Sequence, residues 1–133
     1  MDDRLKILSK RFLVFGAVSA GIGVGCGAFG AHGLKSILAP EMLGVFETGV
    51  RYQMYHAFGL LAVGLVALMR APLQSRALEV AGWCFLVGTV LFSGSLYLLS
   101  LTGAGIFGVV TPFGGVAFLA GWGALTWSVA RMV

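Results

Sequence analysis

Three long stretches of this chain carry no charged side chain, and they limit the folds that the chain can adopt more than any other feature. Residues 12–34 contain no Asp, Glu, Lys or Arg, 18 uncharged residues separate Arg51 from Arg70, and 51 separate Glu79 from Arg131. A helix needs about 20 apolar residues to cross the hydrocarbon core of a bilayer. These stretches therefore predict membrane-spanning helices.

The composition agrees with a membrane protein and argues against nucleic-acid binding. Of the 133 residues, 59% are hydrophobic and 11% are charged, and the mean hydropathy is +0.97. A soluble domain of this size needs more charge to cover its surface. The net charge of +4 comes from basic residues beside the apolar stretches, where they orient the protein and meet anionic lipid head groups. The sequence has no basic patch with exposed aromatic residues that would point to nucleic acid.

We predict an all-α fold, an integral membrane bundle of four transmembrane helices that forms one domain over residues 1–133. The last uncharged stretch is too long for one helix, and three glycines in LTGAGIFG, residues 101–108, mark its break. Thr111 and Pro112 resemble a helix N-cap followed by a first-turn proline. The predicted spans are residues 12–32, 52–69, 80–101 and 110–130.

The first outer loop contains signals for a short helix of its own. Pro40 suits the first position of a helix, and Glu41 is favoured near the positive end of the helix dipole. We expect this short helix to continue directly into the second span. Ala71-Pro72 ends that span, because the residue before a proline disfavours the helical conformation.

The distribution of Lys and Arg predicts the orientation of the four spans. Seven of these residues lie in the N-terminal segment, the second loop and the C-terminus, whereas two lie in the first loop and none in the third. Because cytoplasmic loops carry the excess of basic residues, we expect both termini in the cytoplasm and the protein in a bacterial inner membrane. Trp83 and Trp127 lie near the inner ends of spans three and four, as interfacial anchors do.

Small residues recur every four positions on two adjoining faces of the first span. In lipid, apolar burial between helices contributes little, and small residues allow the close backbone approach that holds helices together. We therefore expect the first span to lie at the centre of the bundle, with a dimer interface as the alternative use of these faces. One face carries Ser19, Gly23, Gly27 and Ala31, the other carries Ala17, Gly21 and Gly25, and Ala117 and Gly121 repeat the spacing in span four.

Polar side chains concentrate in the outer half of the predicted bundle. Thr89, Ser93, Tyr97 and Ser100 share one face of span three, and His56 lies inside span two. An ionisable residue inside a span is a functional hypothesis by default, with a hydrogen bond across helices as the alternative. We predict that His56 and the span-three face meet in an outward-opening pocket. Its candidate residues are His32, Glu47, Arg51, Tyr52, Gln53, His56, Ser93 and Tyr97.

The sequence has no pattern that indicates catalysis or a metal centre. No carboxylate inside a span can orient a histidine, and no nucleophile-elbow or H-E-x-x-H motif is present. His32 and His56 are too few to bind zinc, although two histidines at similar depth suffice for haem. We expect a non-enzymatic scaffold, accessory subunit or lipid-binding protein without a cofactor. Its expected partners are membrane lipids and a second copy or a larger membrane complex. The alternatives are a small transporter or channel that uses the polar pocket, and a redox subunit that binds haem or quinone.

Three segments resemble one known family: GCGAFGAHGL (residues 25–34), ETGVRYQMYHAFGLL (47–61), and FSGSLYLLSLTG with TPFGG (92–103 and 111–115). They are similar to the small membrane proteins catalogued as domain of unknown function 423, related to transmembrane protein 256 of animals. The resemblance covers nearly the whole chain, in order and with similar spacing. It implies a small multi-pass membrane protein, and it implies no activity, ligand or catalytic residue.

Overall fold

The computed structural model describes residues 3–69 and 75–132, and within these ranges the chain is helical and contains no strand. Each of the four long helices is long and apolar enough to cross a membrane, which confirms the predicted fold class. The helices are α1 (Asp3–Phe29, followed by a π-helical turn, Gly30–Leu34), α2 (Pro40–Met69), α3 (Ser75–Thr102) and α4 (Ile106–Ala130).

The helices extend beyond the apolar stretches that predict them. The charged N-terminal segment forms the first turns of α1, and Pro40 begins a single helix that runs without a break to Met69. The short helix predicted in the first loop is thus the N-terminal part of α2. Arg70 and Ala71-Pro72, the predicted end of the second span, lie outside the described residues.

The glycines between α3 and α4 form a tight turn. Gly103 has a φ of +69°, a left-handed conformation that glycine adopts without steric cost, and its N–H donates to the Leu99 carbonyl at 2.8 Å. The prediction that Thr111 and Pro112 begin the last helix is wrong, because α4 begins at Ile106 and contains Pro112. In lipid every backbone polar group needs an internal partner, which favours starting a helix directly after the turn.

The helices pack in the order in which they occur in the chain. α1 packs along α2, α2 along α3, and α3 along α4, whereas α1 with α3 and α2 with α4 make only minor contacts. Of the residues in the most apolar part of each helix, 44% are buried in α2, but only 17% in α1 and 17% in α4. The expectation that the first span is the centre of the bundle is therefore wrong: α2 and α3 are central.

Aromatic rings fill the spaces that glycines leave open between the helices. The ring of Phe12 on α1 occupies the space beside Gly82 on α3. Phe85 on α3 lies between Gly59 of α2 and Gly121 of α4, and a Cβ on Gly121 would come within 2.7 Å of its ring. Both phenylalanines are fully buried. The glycine pattern thus determines where the large side chains pack.

Candidate functional site

A buried amide connects three helices of the bundle. The Gln53 side chain on α2 donates from Nε2 to the Ser19 carbonyl of α1 at 2.9 Å, and its Oε1 accepts from the Tyr97 hydroxyl of α3 at 2.7 Å. Ser93 donates to the Gly49 carbonyl at 2.7 Å. Polar groups inside a membrane are costly without partners, and each of these has one. We call these five residues the Gln53 clamp.

Two glycines give the Gln53 clamp its geometry. A Cβ on Gly49 would lie 2.8 Å from Cε1 of Tyr97, so the absence of a side chain there lets the tyrosine lie across α2. A Cβ on Gly23 would lie 2.6 Å from Sδ of Met54, and Gly23 is buried beside Ser19. Small residues therefore bring α1 and α3 close enough to α2 for one amide to reach both.

His56 is buried but does not belong to the Gln53 clamp. Its Nδ1 lies 2.7 Å from the Tyr52 carbonyl, and the Trp122 indole N–H of α4 donates to its Nε2 at 3.1 Å. A carbonyl only accepts and an indole N–H only donates, so the imidazole is neutral and carries its proton on Nδ1. The prediction that His56 faces the polar row of span three is wrong. Gln53, about 60° away around the helix, takes that place.

The remaining polar side chains of the predicted row on span three form hydrogen bonds within their own helix. The Thr89 hydroxyl donates to the Phe85 carbonyl at 2.8 Å, and the Ser100 hydroxyl donates to the Tyr97 carbonyl at 2.9 Å. Such bonds to the preceding turn are the usual arrangement for hydroxyl side chains in membrane helices. Of the predicted polar row, only Ser93 and Tyr97 contact another helix through hydrogen bonds.

Aromatic rings surround His56 on the side that faces α4. The imidazole is stacked on Phe118 with ring centroids 3.4 Å apart and an interplanar angle of 6°. Tyr52 is stacked on Phe92 at 4.5 Å, and Trp122 packs against Phe85 at 4.8 Å. These rings hold His56 and each other in place, because aromatic pairs at such distances add to the burial of their surfaces.

A groove of about 690 Å³ lies between α2 and α4, over these rings. Its volume falls within the roughly 300–1,000 Å³ of typical small-molecule sites. On α4 its rim includes Val116 and Leu119, which are 65% and 74% exposed, so in a membrane the groove opens sideways into lipid. We call it the α2–α4 groove. It is lined by Tyr52, Tyr55, His56, Phe92, Pro112, Gly115, Val116, Phe118, Leu119 and Trp122.

A smaller groove of about 370 Å³ lies between α1 and α3 on the opposite side of α2. The side chains of the Gln53 clamp line it together with apolar residues such as Phe15 and Leu86. The polar atoms of Gln53 and Ser93 already have partners within the protein. This groove therefore offers fewer free polar groups to a ligand than the α2–α4 groove does.

The charged candidates lie apart from His56. Glu47 and Arg51 are exposed on α2, where they line a recess of about 270 Å³ against Gly27 of α1 and Gly30 of the π-helical turn. The sequence predicts that they cover His56, and in the structure they do not. Of the small residues of α1, Gly27 is half-buried and Ala31 is exposed, while a Cβ added to Gly21 or Gly25 would meet no atom within 4 Å.

The two histidines lie at different depths, contrary to the expectation from the sequence. His32 is exposed in the π-helical turn that follows α1. Ala57, next to His56, contacts Gly16 of α1. Gly16 precedes His32 by 16 residues, so the two histidines are separated by roughly 24 Å along the helix axis. One haem iron cannot bind both histidines at this separation. The haem site considered for His32 and His56 is therefore wrong.

Sequence reasoning missed the α4 residues that complete the surroundings of His56. Phe118 and Trp122 are spaced i,i+4 and lie on one face of α4. A signal was present in the position of Trp122, because it lies in the middle of its span, whereas Trp83 and Trp127 lie near the inner ends. A tryptophan far from the membrane interface needs a partner for its N–H inside the protein.

Comparison with known proteins matches most of this chain to a family that is described as being of unknown function. A family model described as "Protein of unknown function (DUF423)" matches residues 26–115. The UPF0382 membrane protein YwdK of Bacillus subtilis is 49% identical over 113 residues, which cover 85% of this chain and 90% of YwdK. The UPF0382 membrane protein SH2409 of Staphylococcus haemolyticus is 44% identical over 124 residues, covering 93% and 98% of the two chains. No solved structure matches.

Proposed function

The chain belongs to the DUF423 family of proteins of unknown function, and we propose that it is a non-enzymatic membrane protein that binds a lipid in the α2–α4 groove. The groove itself carries this proposal: it has a volume of about 690 Å³, and its rim residues are exposed on faces that would contact the bilayer. Its walls are largely aromatic, and flat aromatic rings make extensive dispersion contacts with hydrocarbon chains.

Two hydroxyl groups in the groove support a ligand with a polar part. Tyr52 and Tyr55 lie 12 and 15 residues from the first residue of α2, roughly 18 and 22 Å along the helix. In the described part of the chain, neither hydroxyl has a hydrogen-bond partner. A hydroxyl left unpaired in an apolar environment costs about 1–3 kcal/mol on protein-based scales. The ester carbonyls of a bound lipid would supply acceptors.

The position of the groove favours lateral binding over transport through the protomer. The α2–α4 groove and the α1–α3 groove lie on opposite sides of the packed α2–α3 pair, and the Gln53 clamp lies between them. A lipid can enter either groove from the bilayer without opening the bundle. The α2–α4 groove is the better site, since it is larger and has free hydroxyls.

Filling the groove tests the proposal. A Cβ on Gly115 would lie 4.0 Å from the nearest ring atoms of Phe92, so a larger side chain at this position enters the groove without separating the helices. We expect Gly115→Leu, purified in mild detergent, to retain several-fold less co-purified lipid by mass spectrometry than the wild type. Gly123→Leu is the matched control, because nothing lies within 4 Å of a Cβ there.

Equal amounts of lipid in both variants and the wild type would refute the proposal, provided that circular dichroism shows the same helix content in all three. Variant Leu119→Trp gives an independent test, because Leu119 is 74% exposed at the rim and its replacement narrows the groove without changing the core. It should also lower the amount of retained lipid.

We also propose that the protein lies in a bacterial inner membrane with both termini in the cytoplasm. The support for this orientation is the excess of Lys and Arg, seven against two, in the sequence of the N-terminal segment, the second loop and the C-terminus. Arg131 lies over the Trp127 ring at 3.8 Å and Arg11 over Trp83 at 5.8 Å. Basic and aromatic residues pair in this way near membrane interfaces.

A further inference from the structure

Two opposite charges on α2, Glu47 and Arg51, lie one to two helical turns from Tyr55, which lines the α2–α4 groove. Glu47, Arg51, Tyr55 and Phe58 are spaced i, i+4, i+8 and i+11, which places them on one face of the helix, and all four are exposed. Neighbours on such a face have Cβ atoms about 5–6 Å apart. Arg51 therefore lies one turn outward of Tyr55, which is part of the groove rim.

Glu47 and Arg51 have no charged partner in the described ranges, residues 3–69 and 75–132. Their i,i+4 spacing would allow an ion pair with each other, yet the two groups do not form one. Instead, both line the 270 Å³ recess over Gly27 of α1 and Gly30 of the π-helical turn. The recess thus presents one cation and one anion side by side.

α2 has 30 residues and is roughly 45 Å long, about 15 Å longer than the hydrocarbon core, so its first turns can lie in the head-group layer. Arg51 lies 11 residues from Pro40, or roughly 16 Å along α2, and its long side chain can extend further toward the surface. A guanidinium binds phosphate oxygens with two parallel hydrogen bonds. The neighbouring carboxylate repels a purely anionic head group and attracts an ammonium group.

We infer that the lipid in the α2–α4 groove is a zwitterionic phospholipid with an ethanolamine head group, whose phosphate binds Arg51 and whose ammonium binds Glu47. This inference rests on the proposed function, because the acyl chains pass Tyr55 at the rim and lie in the groove. The primary ammonium distinguishes ethanolamine from choline: it donates three hydrogen bonds, whereas a quaternary ammonium donates none. A glycerol head group lacks the cation for Glu47.

A competition between head groups tests this inference. The full chain is reconstituted in vesicles of equal parts phosphatidylethanolamine, phosphatidylcholine and phosphatidylglycerol with identical acyl chains, extracted in mild detergent, and its retained lipids are quantified by mass spectrometry. We expect phosphatidylethanolamine to be enriched roughly fivefold over each competitor, as one charge-assisted contact allows. If the protein retains the three phospholipids in the same proportions as the vesicles contain them, the inference is wrong.

Two charge-neutralising variants assign the roles of the residues. Glu47→Gln should abolish the preference for ethanolamine over glycerol, and Arg51→Gln should lower the retention of all three phospholipids. Lys35→Gln is the matched control, since Lys35 is an exposed cation near the outer end of α1 that does not line the recess. A Glu47→Gln protein with the full wild-type preference would contradict the inference.

The same measurement separates failure of this inference from failure of the proposed function. If Gly115→Leu lowers the retained lipid but the wild type shows no head-group preference, the groove binds lipid and the inference on Glu47 and Arg51 is wrong. If Gly115→Leu leaves the retained lipid unchanged, the proposed function is wrong. Enrichment of phosphatidylethanolamine that depends on both Gly115 and Glu47 supports the two together.

Discussion

His56 is held between two partners that each have a single hydrogen-bonding role. The Tyr52 carbonyl accepts from Nδ1, and the Trp122 indole donates to Nε2. A second proton on the ring would remove the acceptor that Trp122 needs. His56 therefore functions in this structure as a neutral connector between α2 and α4 rather than as a free base, and it forms part of the wall of the α2–α4 groove.

Removing the indole donor should destabilise the protein. Trp122→Phe keeps an aromatic ring but leaves Nε2 of the buried His56 without a partner, and an unsatisfied buried acceptor costs about 1–3 kcal/mol. We expect a lower midpoint of thermal unfolding in detergent. Trp127→Phe is the control, because Trp127 is 57% exposed and its ring contact with Arg131 can persist in phenylalanine. Equal midpoints for the two variants would show that the bond to His56 contributes nothing to stability.

The crossing of α3 and α4 depends on a glycine that lies directly on the backbone of the other helix. A Cβ on Gly114 would lie 2.8 Å from Cα of Phe92, whereas a Cβ on the adjacent Gly115 would lie 4.0 Å from the ring of Phe92. Backbone atoms cannot move aside as the end of a flexible side chain can. The two neighbouring glycines thus have different roles, one in helix contact and one in leaving room in the groove.

This difference predicts opposite results for two adjacent substitutions. Gly114→Ala should force α3 and α4 apart and destabilise the protein by about 1–3 kcal/mol, the usual cost of overpacking. Gly115→Ala should be neutral or slightly stabilising, because alanine favours helix by about 1 kcal/mol over glycine and finds free space. The measurement is thermal unfolding of both variants in the same detergent. A stable Gly114→Ala protein would contradict the close crossing.

The same contacts explain how far the sequence predicts this structure. Apolar length and the glycine-rich turn predict the four helices, because the bilayer leaves helices as the only way to satisfy the backbone. The spacing of small residues on α1 predicts a close contact with another helix. It does not predict which of the two small-residue faces makes this contact, since both faces have the same period. The contact uses Gly23, against Met54, rather than Gly21. Gln53 and His56 are likewise separated by a small angle around the axis of α2, so the helical period does not show which neighbouring helix each side chain contacts.

At the scale of the whole molecule, the order of packing leaves two sides of the central pair open. Since α1 packs mainly on α2 and α4 mainly on α3, a groove remains between α1 and α3 and another between α2 and α4. Both grooves face the bilayer at the depth of the apolar stretches. The charged recess of Glu47 and Arg51 lies at the end of the molecule where α1 ends and α2 begins, so the orientation of the protein determines which leaflet it contacts.

The orientation can be tested by labelling introduced cysteines on intact cells. With both termini in the cytoplasm, Asp3→Cys should react with a membrane-impermeant maleimide only after the membrane is permeabilised, whereas Lys35→Cys should react without this step. Both positions are exposed, and the parent chain, with half-buried Cys26 and Cys84, provides the background. Labelling of Asp3→Cys on intact cells would show that the topology is the reverse of the proposed one. The Glu47–Arg51 recess would then contact the cytoplasmic leaflet, and the excess of basic residues would lie on the side opposite to that expected.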